Sequence, residues 1–154
     1  MTKLVDNRKN IAVVFAFTTA MFCLVLLFSR YKVCFVRGVS MEPTILENSF
    51  ILIDTAVKPE RGDIAVFSYC GKTYIKRVVG CSGDVVELEG TTIKVNTELM
   101  RDNLKADYGE FMWTIPLGSY LMLGDNENES YDARFWENPF ISEKDVKGVV
   151  LKVW

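Results

Sequence analysis

Val36–Leu46 reads VRGVSMEPTIL, with Ser40 between a glycine-containing turn and a proline. A serine set on such a turn is a candidate nucleophile, and a nucleophilic hydroxyl needs a group that takes its proton. The 154-residue chain contains no histidine. That removes the usual general base and the usual metal ligand together. Serine chemistry here must run on another base, and no metal or other cofactor is expected.

The run TYIKRVVG, Thr73–Gly80, offers one. On a strand, neighbouring side chains point to opposite faces. Tyr74, Lys76 and Val78 then share one face, and Ile75, Arg77 and Val79 the other. Whichever face meets the core, one cation heads inward. Such a lysine either snorkels at a sheet edge or is stripped of water and proton near Ser40. Taking its pKa from about 10.4 to about 8 costs about 3.3 kcal/mol, which a stable domain can carry. Spacing leaves both readings open.

A third piece, LGDNENESYDARFW, Leu123–Trp136, begins where a strand is expected to end. As a polar loop it caps that strand through local Asx hydrogen bonds. As part of a site, it offers Ser130 to orient a lysine amine. It also offers Asp132 and Arg134 to meet counter-charges, with Arg77 the expected partner of Asp132.

The elements that must position these residues are short β-like runs separated by turn signals. They are 50–54, 63–69, 73–80, 84–88, 92–95, 120–123 and 148–154, with tight hairpins at Cys70-Gly71-Lys72 and Glu89-Gly90. Leu99–Met112 is polar and mixed and reads as a loop. No helical period persists in this part, so the expected fold is a mostly β, antiparallel domain of roughly 120 residues. Phe35, Met41 and Ile45 are expected to supply an apolar surface near the site, with core packing as the alternative.

Ahead of it, Ile11–Phe28 holds 18 residues without a charge. As a helix they span roughly 27 Å, close to a bilayer core. The run is longer than the apolar part of a cleaved secretory signal, and FSRYKV offers no small-x-small cleavage site. An uncleaved single-pass anchor is therefore expected. Lys3, Arg8 and Lys9 on one side balance Arg30, Lys32 and Arg37 on the other, so charge leaves the orientation open. A net charge of −2, without a basic stripe, argues against nucleic acid as a partner. The four cysteines form no metal motif; they read as free thiols, with a Cys70–Cys81 disulfide as the alternative on an oxidising face.

Together the three pieces resemble the type I signal peptidases, membrane-anchored serine–lysine proteases of protein export. SMEPT (Ser40–Thr44) is similar to the family's nucleophile box, IKRVVGCSGD (Ile75–Asp84) to its lysine box, and GDNENESYDAR (Gly124–Arg134) to its glycine-aspartate-asparagine box. The boxes stand in order behind one anchor, as in the short Gram-positive form. The resemblance implies a signal-peptidase-like β fold, with Ser40 as nucleophile and Lys76 as general base. Ser130 would position Lys76, and Arg77, Asp125, Asn126, Asp132 and Arg134 would support the loop. The Ser40 N–H would donate to the oxyanion; some members add a serine hydroxyl two residues earlier, where this chain has Gly38. The substrates implied are secretory preproteins held in the lipid bilayer by their signal peptides and cut after small residues at −1 and −3.

The same resemblance divides the chain into a cytoplasmic N-terminus (1–10), a transmembrane helix (11–28) and an extracytoplasmic β-rich peptidase domain (29–154). Departures from the family pattern are Cys81-Ser82 before Gly83-Asp84, Ala133 in place of serine, and Trp136-Glu137 in place of a glycine-containing step. Two rival readings are a self-cleaving repressor, which would need a DNA-binding region where this chain has the apolar run, and a weak or pathway-dedicated relative serving pilus or surface-protein assembly.

Overall fold

The computed structural model describes residues 2–102, 104 and 107–154. The chain falls into two compact units that meet in sequence between Lys32 and Val33. The first is dominated by α1, Thr2–Arg30. Within it Asn10–Arg30 is long and apolar enough to cross a membrane, with a mean hydropathy of 2.7. Thr18, Thr19 and Ser29 return their hydroxyls to carbonyls three or four residues earlier, so these three hydroxyls are satisfied inside the helix.

After α1 the chain is built of strands, the first of which begins in the last two residues of the first unit. These are β1 Tyr31–Phe35, β2 Phe50–Asp54, β3 Ile64–Tyr69, β4 Lys72–Gly80, β5 Val85–Glu89, β6 Thr92–Val95, β7 Glu98–Arg101, β8 Glu110–Thr114, β9 Ser119–Leu123, β10 Phe140–Ser142 and β11 Val146–Val153. Seven form one sheet in the order β1-β2-β11-β3-β4-β9-β10, and four form a second in the order β7-β6-β5-β8. From β2 to β10, and throughout the second sheet, neighbours run antiparallel. The interval expected as a loop, Leu99–Met112, instead carries most of β7 and the start of β8; its residues 103, 105 and 106 lie outside the described residues. β7 and β8 are short and largely exposed, so the inside–outside alternation that marks a strand is absent from them; β1 and β10 were not expected either. The hairpin at Cys70-Gly71 is a two-residue turn with φ of 47° and 75°, the geometry that suits the twist of paired strands.

Both faces of the large sheet are covered around β3 and β4. Ala65, Phe67 and Val78 enter a large core with Leu121 and Trp136. Val66 and Ile75 join a smaller core with Val36, Met41, Ile45, Ile51 and Ile53. That smaller core lies under the turn carrying Ser40: Met41 and Ile45 are buried at 2% and 0%, while Phe35 alone of the expected apolar trio stays exposed. A β-bulge between Val78 and Gly80 in the pairing with β9 breaks the alternation, and Val78, Val79 and Gly80 are buried in succession. All four cysteines are free thiols, including Cys70 and Cys81.

Candidate active site

Lys76 lies opposite Ala65 in the β3–β4 register, on a strand flanked by β3 and β9, and is 2% exposed. Because both faces of this sheet are packed, neither offers the amine an easy route to water. Lys76 Nζ donates instead to Ser40 Oγ at 2.5 Å, across 36 residues of sequence. Burial lowers the amine's pKa to about 8; Asp132 pulls it up, Arg134 pushes it down and Asp125 pulls it up, each by less than the burial effect. The amine, beside a hydroxyl, therefore loses its proton as pH rises through about 8, well below the ordinary lysine range. A cavity of about 400 Å³ opens on both groups, and its lining includes Phe35, Met41, Tyr74, Ile75 and Tyr131.

The Ser40 turn is held from the loop after β9. Asn126 Nδ2 donates to the Val39 carbonyl at 2.9 Å, and the Asn126 N–H to the Ser40 carbonyl at 3.0 Å. Thr44 Oγ1 donates to Asp125 Oδ2 at 2.6 Å. The Ser40 N–H has no acceptor among the described residues. Gly38 has a φ of 96°, which suits glycine, and its N–H donates to Glu47 Oε1 at 3.0 Å, so it is not a second free donor.

One expected pairing is replaced. Arg77 does not meet Asp132; its Nε and Nη2 hold Asp125 at 2.8 and 2.6 Å. The register explains the choice: Arg77 lies opposite Leu123, and Asp125 follows two residues later where β9 ends. Burial works against the Asp125 carboxylate, but the Arg77 and Thr44 hydrogen bonds and the charges of Arg77 and Arg101 hold its pKa below the usual range.

Asp132 is taken by Arg134, whose Nε and Nη2 reach its two oxygens at 2.8 and 2.7 Å, with the side chains 0% and 2% exposed. Ser130 Oγ donates to the same Asp132 at 2.6 Å, and among the described residues it makes no hydrogen bond to Lys76. The Gly124 N–H adds a further bond to Asp132 at 2.8 Å. Two groups absent from the expected site belong to this network. Thr44 lies inside the quoted nucleophile box, whereas Arg101 lies in a stretch with no distinguishing pattern.

The family model for signal peptidase, peptidase S26, matches residues 8–154. The chain belongs to that family. It is 28% identical to signal peptidase I of Leptolyngbya laminosa over 138 residues, covering 78% of this chain and 67% of that protein. It is 33% identical to signal peptidase I of Pseudomonas aeruginosa, covering 72% of this chain and 57% of that protein. With signal peptidase I U of Bacillus subtilis the identity is 30%, covering 68% and 65%. The chain thus spans between 57 and 67% of the length of these relatives. A crystal structure of a signal peptidase I from Enterococcus faecalis V583 superposes with a TM-score of 0.54 at 27% identity, covering 62% of this chain and 98% of that one. Family membership agrees with the mostly antiparallel β architecture behind one apolar N-terminal helix.

Proposed function

We propose that the protein is a signal peptidase I: a single-pass membrane serine endopeptidase that removes signal peptides from secretory preproteins after small residues at −1 and −3. The observation that carries this reading is the bond between a buried amine with a pKa of about 8 and the Ser40 hydroxyl at 2.5 Å. A neutral Lys76 takes the Ser40 proton as Oγ attacks the scissile carbonyl carbon. The free Ser40 N–H donates to the resulting oxyanion. Collapse breaks the C–N bond, Lys76 returns the proton to the departing amine, and the mature protein leaves. Lys76 then deprotonates a water that attacks the acyl-enzyme ester. The signal peptide departs as a carboxylate, and Ser40 regains its proton.

Support for the other assignments is positional. Arg77, Asp125 and Asn126 tie the Ser40 turn to β4, and Asp132 with Arg134 places opposite charges around the amine. Ser130 acts on Lys76 through Asp132, to which it is bonded. The apolar helix supports the anchor, with the N-terminus cytoplasmic and the β unit on the outer face. Sharing a bilayer with the substrate raises effective concentration without further contacts.

The test is cleavage of a preprotein carrying alanine at −1 and −3 by the purified full-length protein. Ser40→Ala and Lys76→Ala should each lower kcat/KM by on the order of 10²–10⁴ while remaining folded. A phenylalanine at −1 should block cleavage. Undiminished processing by either variant sinks the proposal.

A further inference from the structure

Arg101 is the last residue of β7, and it reaches out of the second sheet into the network beneath Ser40. Its Nη2 lies 3.1 Å from Asp125 Oδ1 and its Nη1 3.5 Å from Glu127 Oε1. Asp125 already accepts two hydrogen bonds from Arg77 and one from Thr44. Arg77 and Arg101 thus face the carboxylates of Asp125 and Glu127, and on Asp125, 7% exposed, the two guanidiniums meet. The arrangement is a tether as well as a charge balance: β4, β7 and the Ser40 turn converge on the Asp125 side chain.

A second contact follows the same path. Tyr108, between β7 and β8, donates its hydroxyl to the Glu127 carbonyl at 3.2 Å, and its ring lies 4.4 Å from the Arg134 guanidinium. The segment held in this way contains Asn126, which donates to the carbonyls of Val39 and Ser40, one on each side of the Ser40 Cα. A shift of this loop is therefore transmitted to the hydroxyl through two hydrogen bonds.

We infer that Arg101 is a positioning residue: from the second sheet it fixes the Asp125–Asn126 segment and so sets Ser40 against Lys76. The inference rests on the peptidase reading above and assigns the second sheet a part in it. Arg101 also acts by charge. The charged groups that bear on Lys76 are Asp132, Arg134 and Asp125. Asp125 favours the protonated amine, and Arg101 offsets part of that pull. Without Arg101 the amine should hold its proton to higher pH, and the acid limb of the activity profile should move the same way.

The experiment compares the full-length parent, Arg101→Gln and Arg101→Lys in detergent micelles. Two quantities are read: kcat and KM for a preprotein across pH, and the Lys76 titration midpoint by NMR of lysine-labelled protein without substrate. In Arg101→Gln, kcat per folded molecule should fall by roughly tenfold or more with KM within about twofold, since displacement of a reacting group costs rate rather than binding. The midpoint should rise by a few tenths of a pH unit. Arg101→Lys should restore the midpoint and part of kcat. The inference requires both changes in Arg101→Gln: an unmoved midpoint overturns it, and so does an unchanged kcat per folded molecule with only a lower melting temperature. A parent that cleaves no preprotein would sink the peptidase reading instead, while the midpoint still decides whether Arg101 governs Lys76.

Discussion

Lys76 opposes folding, and under the proposed function the same burial is what frees its amine to act as a base. Its shift from 10.5 to about 8 corresponds to roughly 3 kcal/mol against the folded state. The folded pKa lies below the unfolded one, so this cost is full below about pH 8 and vanishes as pH rises toward the unfolded value of 10.5. Lys76→Met should therefore raise unfolding free energy at pH 7 by up to about 3 kcal/mol, less about 1 for the lost hydrogen bond. The gain should shrink toward pH 10, read by urea denaturation at several pH values, and activity should be lost. A parent enzyme working through this amine should gain activity as pH rises through about 8. Asp132 makes the opposite case. It pairs with an Arg134 side chain that is 2% exposed, so Asp132→Asn leaves a buried cation without its counter-charge. A loss of about 3–5 kcal/mol is expected in the same assay. At this scale strand alternation alone indicated that either Lys76 or Arg77 turns inward. It did not indicate which carboxylate each cation meets, because Arg77 finds Asp125 across 48 residues.

Elements decide how closely the loops approach one another. At the end of β9, an added Cβ on Gly124 would lie 2.1 Å from Ser130 Oγ and 2.6 Å from the Ser40 carbonyl oxygen. Gly124→Ala must therefore displace the Ser40 turn or the Asp132 group. It should cost about 1–3 kcal/mol in denaturation and most of the cleavage activity. The β6–β7 turn carries the reverse problem. Asn96 and Thr97 both have positive φ, 51° and 69°, and a β-branched residue is poorly suited to that region. Thr97→Gly should stabilise the protein by up to about 1 kcal/mol with activity unchanged, measured by melting temperature and preprotein cleavage together. Strands β2, β3 and β4 were legible from their apolar, β-branched runs and flanking turns. β7 and β8 were not: in EFMWT, four of five residues are exposed, and pairing with β5 makes it a strand.

For the whole molecule, the apolar run gives a physical expectation about location. A helix segment of 21 residues with mean hydropathy 2.7 should keep the protein in the membrane fraction through high salt and alkaline carbonate, with release only by detergent. If the β unit faces outward, a membrane-impermeant maleimide applied to intact cells should label the exposed Cys70, and Cys70→Ser should remove most of that label. Labelling that appears only after lysis would reverse the proposed orientation.

What the sequence determined by itself is what local chemistry can encode: a span long enough for a bilayer, hairpins at glycine turns, and three residue boxes in family order. The lack of histidine already required a base other than imidazole. Tertiary structure decided the rest, because partner choice depends on distance in space and on which faces are covered. Packing on both faces of β3 and β4 is what dries Lys76, and neither face can be recognised from β4 alone. Likewise, Arg101 reaches Asp125 only because a second sheet forms from strands with little pattern of their own.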